Sequence, residues 1–248
     1  MKIRILGNGG FINSGLPYNS LLIDGTFLIE APPDLMVSLR RSEVPYTSIR
    51  RIFLSHFHGD HYFGMPFFVL NMLNYYLETG RPIEPIELIG PPPLKATLQG
   101  LQATATSAHN PSVEFIEKLF RFNEIDARSK VSLGKRRTLV FHQMAHSKPT
   151  YGFSILEGES YRLSYLCDTK WNDSFAEILR KKPVLVLCDL NSHPDGKIKE
   201  HMTERDILEK ALPITGRATN YIGIHLSGIT TKDYEKLKFS KPGDEYEF

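Results

Sequence analysis

The chain has 248 residues, 41% of them hydrophobic and 11% aromatic, the composition of a globular protein with one sizeable core. No run of about 18 apolar residues occurs, so no helical membrane span is expected. A formal net charge of +2 does not by itself imply a nucleic-acid partner.

The first strand is expected over Ile3–Leu6, too short an apolar stretch for a signal peptide. Gly7-Asn8-Gly9-Gly10 follows, a turn that can bring backbone close to a ligand. Asn19–Ile23 and Thr26–Ile29 flank Asp24-Gly25, a strong hairpin signal. Pro32-Pro33-Asp34 opens a short helix through Arg41. Ile52–Leu54 reads as a buried strand, and Tyr62–Leu77 as a helix stopped by Gly80 and Pro82. A strand over Ile86–Ile89 leads through Gly90-Pro91-Pro92-Pro93 into a helix from Leu94. A further helix covers Ser112–Arg121. Arg137–Met144, Tyr151–Leu156 and Tyr161–Cys167 are expected strands. A helix over Asn172–Arg180 precedes strand Val184–Cys188, and Thr203 caps a helix to Ala211. Tyr221–Ile224 is read as the last strand, with a charged tail that begins as a helix at Lys232.

Cys167 and Cys188 each end an apolar run, as buried thiols do. A disulfide stays open, and a reducing cytoplasm is the simpler expectation. No repeat, low-complexity tract or linker interrupts the chain, so residues 1–248 read as one domain. Hairpins early and strand–helix alternation later imply mixed sheets covered by helices.

Ser55-His56-Phe57-His58-Gly59-Asp60-His61 carries three imidazoles and a carboxylate directly after the apolar Ile52-Phe53-Leu54. Neutral imidazole and carboxylate oxygen suit zinc or a neighbouring first-row metal. A polar loop with histidines facing water is the bland alternative, and ligand chemistry at i, i+2, i+4 and i+5 speaks against it.

The pattern H-x-H-x-D-H over His56, His58, Asp60 and His61 resembles the metallo-β-lactamase superfamily. His146, Asp168 and His225 follow in the family's order, each at the end of an apolar strand. The resemblance implies an α/β fold, a four-layer αβ/βα sandwich of two mixed sheets flanked by helices. It also implies two divalent metals, zinc first, with manganese or iron as the alternatives. His56, His58 and His146 would hold one ion, Asp60, His61 and His225 the other, and Asp168 would bridge them. His142, four residues before His146, is a rival ligand. His146 is preferred because it follows the strand. His109 and His193 read as surface or supporting residues.

Ser55-His56-Phe57-His58-Gly59-Asp60-His61-Tyr62-Phe63-Gly64-Met65-Pro66 is similar to the ribonuclease Z branch, as are Ile89-Gly90-Pro91-Pro92 and His201-Met202-Thr203. By that resemblance His201 lies near the scissile phosphate, and Asp189 orients it or merely caps a strand end. Asp60 would combine metal ligation with accepting a proton from the attacking water. Only Tyr151–Asp168 separates the His146 and Asp168 motifs, where bacterial ribonuclease Z inserts its tRNA-gripping arm. Ile29-Glu30-Ala31-Pro32-Pro33-Asp34-Leu35 instead resembles phosphodiesterases acting on small cyclic phosphates.

The resulting expectation is a dinuclear phosphodiesterase for a small cyclic or nucleotide phosphodiester, attacked by a metal-bound hydroxide. An arm-less ribonuclease Z-like endonuclease, a thioester or lactone hydrolase and a non-catalytic metal-stabilised scaffold are the alternatives. Phe63, Met65, Phe67 and Phe68 would line an acyl pocket in the thioester or lactone hydrolase and otherwise belong to the core. RNA stays open as a partner, as does a homodimer, and no membrane is expected. Lys135-Arg136-Arg137 and Arg180-Lys181-Lys182 read as solvated faces.

Overall fold

A computed structural model describes residues 1–13, 15–192, 200–227 and 232–248. In chain order the strands are β1 (Lys2–Gly7), β2 (Ser20–Ile23), β3 (Phe27–Ile29), β4 (Arg51–Phe53), β5 (Ile86–Gly90), β6 (Phe120–Glu124) and β7 (Lys130–Gly134). β8 (Arg137–Gln143), β9 (Tyr151–Glu157), β10 (Ser160–Leu166), β11 (Leu185–Asp189), β12 (Asn220–Ile224), β13 (Leu237–Phe239) and β14 (Glu245–Glu247) follow. The principal helices are α1 (Leu35–Arg41), α2 (Gly59–Tyr62), α3 (Met65–Thr79), α4 (Leu94–Ala105), α5 (Pro111–Leu119) and α6 (Asp173–Arg180). The chain forms two compact units: Met1–Gly7 with Pro17–Glu124 and Pro242–Phe248, and Asn8–Leu16 with Ile125–Lys241.

The first unit is built on a mixed sheet of order β14-β1-β2-β3-β4-β5-β6. β2 and β3 form the expected hairpin, with positive φ at Asp24 (48°) and Gly25 (73°), as the tight turn of a right-twisted hairpin requires. From β3 to β6 the strands are parallel, and helices fill each connection. Leu28, Ile52 and Leu88 on the sheet join Leu35, Phe68, Val69, Leu98 and Ile116 from the helices in one buried core. Parallel strands that feed helices present their carboxyl ends along one rim. β4 therefore delivers Ser55 and His56 to that rim two and three residues beyond Phe53.

The second unit has a sheet of order β13-β12-β11-β10-β9-β8-β7. β7 to β10 run as an antiparallel meander, and β10 to β13 are parallel. Leu166 pairs with Cys188, and Cys188 with Gly223, across the three central strands. That register brings Asp168, Asp189 and His225 to neighbouring strand ends. Residues 158 and 159 alone join β9 to β10, so no arm interrupts this hairpin. Both cysteines are free and buried.

Several expectations need correction. The expected helix Tyr62–Leu77 is split, with α2 a single turn over the metal-motif residues and α3 starting at Met65. Phe120 and Arg121 belong to β6, not to the preceding helix, because Phe120 and Phe122 alternate with polar residues at strand spacing. β7 was not expected at all. Tyr221–Ile224 is not the last strand: β13 and β14 follow, and no helix occurs among residues 232–248. β14 pairs antiparallel with β1, and Glu245 meets both Lys2 and Arg4 of that strand. The helix capped by Thr203 forms, with Thr203 and Asp206 in a reciprocal capping box. It widens to π geometry over Ile207–Ala211 and continues to Thr215. Pro213, which donates no amide, lies just beyond the widening.

Candidate metal centre

In the first unit the His56 ring is fully buried, and its Nε2 lies 2.9 Å from Nδ1 of His58. The Ser55 hydroxyl, 2.9 Å away, occupies His56 Nδ1 and leaves Nε2 as the converging nitrogen. The His61 ring stands 4.2 Å from that of His56, centroid to centroid, and its Nε2 lies 3.4 Å from Asp60 Oδ2. The single turn of α2 makes this possible: it folds Asp60 and His61 back over the strand end and buries both. Three imidazoles and a carboxylate thus come together within the six residues His56–His61.

Glu30 is a member that the sequence motifs did not reveal. It is fully buried, with φ 62°, at the end of β3, next to β4 in the sheet. Its carboxylate accepts the Ser55 amide at 3.2 Å and lies 3.5 Å from His61 Nδ1. A carboxylate behind a ligating imidazole fixes the tautomer and raises the basicity of the far nitrogen. Its sequence signals were a charged residue ending an otherwise apolar strand and its place in the string Ile29–Leu35, neither of which tied it to the histidines.

In the second unit one ligand atom from each of Asp168, Asp189, His201 and His225 lies within 4.8 Å of the others. His146 adjoins this group, with Nε2 3.8 Å from Asp168 Oδ2 and its ring 5.5 Å from that of His201. Burial lowers the His146 pKa, against the pull of Asp168, which favours the neutral imidazole that binds metal. His142 is elsewhere: it lies on β8 and bonds the Ser154 hydroxyl at 2.8 Å. His109 is exposed in the turn before α5, and His193 lies outside the described residues.

Asp189 is fully buried and accepts four hydrogen bonds. His201 Nδ1 reaches Oδ2 at 2.6 Å, beside the Thr169 amide at 3.1 Å. His225 Nδ1 reaches Oδ1 at 3.1 Å, beside the Asn191 amide at 3.0 Å. Burial opposes ionisation of Asp189, yet His201 and these bonds hold its pKa below the usual value. Burial also opposes protonation of His201, but the Asp189 carboxylate prevails and raises its pKa. With both Nδ1 atoms donating to Asp189, each histidine keeps Nε2 for other work. His225 sits in the left-handed region at φ 54°, a strained conformation of the kind found at functional sites.

Each unit gathers buried imidazole and carboxylate donors, the chemistry of first-row divalent metals rather than of calcium. The donors present therefore fit such ions. Phe63 and Phe67, 47% and 55% exposed, do not belong to the core, whereas Met65 and Phe68 are completely buried. Residues on one face of α3 explain this split, since Met65, Phe68, Val69 and Met72 point into the core.

Residues 1–221 match the model of a family described as "Anti-Pycsar protein Apyc1". A ribonuclease Z from Pyrococcus horikoshii is 25% identical over 98% of this chain and 72% of its own length. The chain spans less of other ribonuclease Z relatives: 29% of the Picrophilus torridus protein and 51% of that from Alkaliphilus oremlandii. Among solved structures, the metallo-β-lactamase fold protein YhfI from Bacillus subtilis superposes with a TM-score of 0.79. It shares 15% identity, over 99% of this chain and 98% of that one. The short form of human tRNase Z gives a TM-score of 0.74 at 18% identity, over 100% and 99%. The fold is that of the metallo-β-lactamase proteins. No helix among the described residues is long and apolar enough to cross a membrane.

Proposed function

The chain belongs to the Apyc1 family of anti-Pycsar proteins, and from that premise we propose that it is a metal-dependent hydrolase of small cyclic or nucleotide phosphodiesters. The observation that carries this reading is the His201–Asp189 pair beside a buried cluster of metal-type donors. A thioester expels a thiolate that needs no proton, whereas a phosphodiester presents a leaving oxygen that an imidazolium can protonate.

In this reading His56, His58 and His146 would hold one ion and Asp60, His61 and His225 the other, with Asp168 available to both. When bound, zinc, or manganese or iron in its place, supplies Lewis acidity and lowers the pKa of bound water to about 7. The remaining work falls to side chains. Asp189 fixes His201 with Nδ1–H directed at its carboxylate. His201 Nε2–H then donates to a phosphate oxygen and passes its proton to the leaving group, a contribution of about 10²–10⁴-fold. Asp60 takes up the proton released by the attacking water. Glu30 holds His61 by Nδ1, and Asp189 holds His225 by Nδ1, so that both present Nε2.

Two features favour a small substrate over RNA. The connection between β9 and β10 is two residues long and offers no extended basic surface for a polynucleotide backbone. Ile29-Glu30-Ala31-Pro32-Pro33-Asp34-Leu35 resembles the small cyclic phosphate enzymes. The second reading is an RNA endonuclease, which the ribonuclease Z relatives favour. Assay of the metal-loaded protein on bis(p-nitrophenyl) phosphate, cyclic nucleotides and a thioester tests the proposal. Cleavage of the phosphodiesters, lost in His201→Ala with metal content intact, is expected. Thioester turnover that survives His201→Ala, with no phosphodiester cleaved, would sink it.

A further inference from the structure

Among the described residues of the second unit, Phe11 and Ile12 are the most exposed large apolar side chains, 70% and 57% exposed, side by side in the loop after Gly10. The loop is firmly held at its base. Leu226 N donates to Asn8 O at 2.6 Å, and Gly10 N donates to Leu226 O at 2.9 Å. The Asn8 amide also donates to Ser240 O. Asn13 closes the other side, donating to Gly10 O at 2.6 Å and accepting the Gly15 and Leu16 amides at 2.8 Å. Leu226 directly follows His225, so the loop is stitched to the residue after a proposed metal ligand. Gly10 is correspondingly tight: a methyl group there would collide with Asn191 and come within 3.0 Å of His225 Cε1. The glycine thus lets the backbone of the loop rest on the site, and the next residue is Phe11.

We infer that Phe11 is a substrate-binding residue that stacks on the nucleobase of a cyclic nucleotide, with Ile12 extending the apolar platform. The inference rests on the phosphodiesterase reading and sharpens it, because it requires a base on the substrate. A planar base presents a π-face of the same size as a phenyl ring, and stacking of this kind tolerates different bases. A second copy of the chain is a poorer occupant. Two side chains bury on the order of 150–250 Å² each, whereas a stable interface needs about 800 Å² per partner. The seating of the loop's base, Gly10, against Asn191 and His225 also puts the next residue within reach of an occupant of the site.

Phe11→Ala and Phe11→Trp, compared with the parent protein, test this on two substrates. One is a 3′,5′-cyclic nucleotide; the other is the same cyclic ribose phosphate carrying a methoxy group in place of the base. Phe11→Ala is expected to shrink the KM preference for the nucleotide over the base-free compound by about tenfold or more, and Phe11→Trp to restore it. Saturation-transfer NMR in the His201→Ala background supplies a second readout, with the transfer to base protons relative to ribose protons falling in Phe11→Ala and returning in Phe11→Trp. An unchanged preference in Phe11→Ala, or a dimer that falls to monomer with equal effect on both substrates, overturns the inference alone. A parent protein that cleaves no cyclic nucleotide removes it together with the phosphodiesterase reading.

Discussion

Asp189 and Glu30 are buried carboxylates whose partners define what they do. Asp189 holds two histidines and two amides on its two oxygens. Asp189→Asn keeps the volume but removes the charge that keeps His201 protonated and able to donate. The expected result is a fall in kcat of about 10²–10⁴-fold, with the far-ultraviolet circular dichroism unchanged. Steady-state kinetics on a cyclic nucleotide reads this directly, and a variant of parental kcat contradicts the role. Glu30 acts on the other set of donors, through His61 Nδ1. Glu30→Gln is expected to weaken metal binding by about 10–100-fold, measured by competition with a chromophoric chelator. Undiminished affinity would leave Glu30 only its bond to the Ser55 amide.

At the scale of elements, a polar chain crosses three strands of the second sheet. His142 on β8 meets the Ser154 hydroxyl on β9 at 2.8 Å, and Ser154 meets Ser164 on β10 at 2.7 Å. Burial pushes the His142 pKa down to about 4, against about 6.5 in the unfolded chain. The folded state therefore prefers neutral His142. Its stabilisation is complete above about pH 6.5 and is lost as pH falls from there to about 4, by at most about 3 kcal/mol. Urea titrations at pH 7 and pH 4 are expected to show this loss, and His142→Gln to remove most of it. Equal pH dependence in both proteins would contradict it. A second element-scale prediction concerns β14, which pairs antiparallel with β1. Deleting Pro242–Phe248 bares a strand edge with unpaired backbone groups. A lower Tm and concentration-dependent association in light scattering are expected, and an unaltered Tm would speak against a structural role.

Elements with a self-contained signal were legible in the sequence, and those that depend on a neighbour were not. Asp24-Gly25 announced its hairpin because the turn chemistry is local. The strands ending near His56, Asp168 and His225 were legible because an apolar run followed by a ligand residue is a local pattern. β6, β7, β13 and β14 are short and partly polar, and lie at or next to sheet edges. β14 forms by pairing with β1, where Glu245 also meets Lys2 and Arg4 more than 240 residues earlier, and no window along the chain contains both partners. The same distinction holds in the site. His56, His58, Asp60 and His61 lie in one string, whereas Glu30 reaches His61 through the pairing of β3 with β4.

For the whole molecule, the family fixes the fold and the class of chemistry but not the substrate. The basic runs at 135–137 and 180–182 lie largely on the surface of the second unit, at or just before the starts of β8 and β11 and not at the strand ends that carry its donors. A substrate with one phosphate would show a KM that changes little with salt. An RNA substrate held by many phosphates would lose affinity steeply. The most direct test of the central claim is a comparison of kcat/KM for a 3′,5′-cyclic nucleotide and for a 3′-extended tRNA, on one metal-loaded preparation. The account predicts turnover of the cyclic nucleotide to its monoester, absent in His201→Ala, with the tRNA left intact. Efficient cleavage of the tRNA with no turnover of the cyclic nucleotide would contradict it.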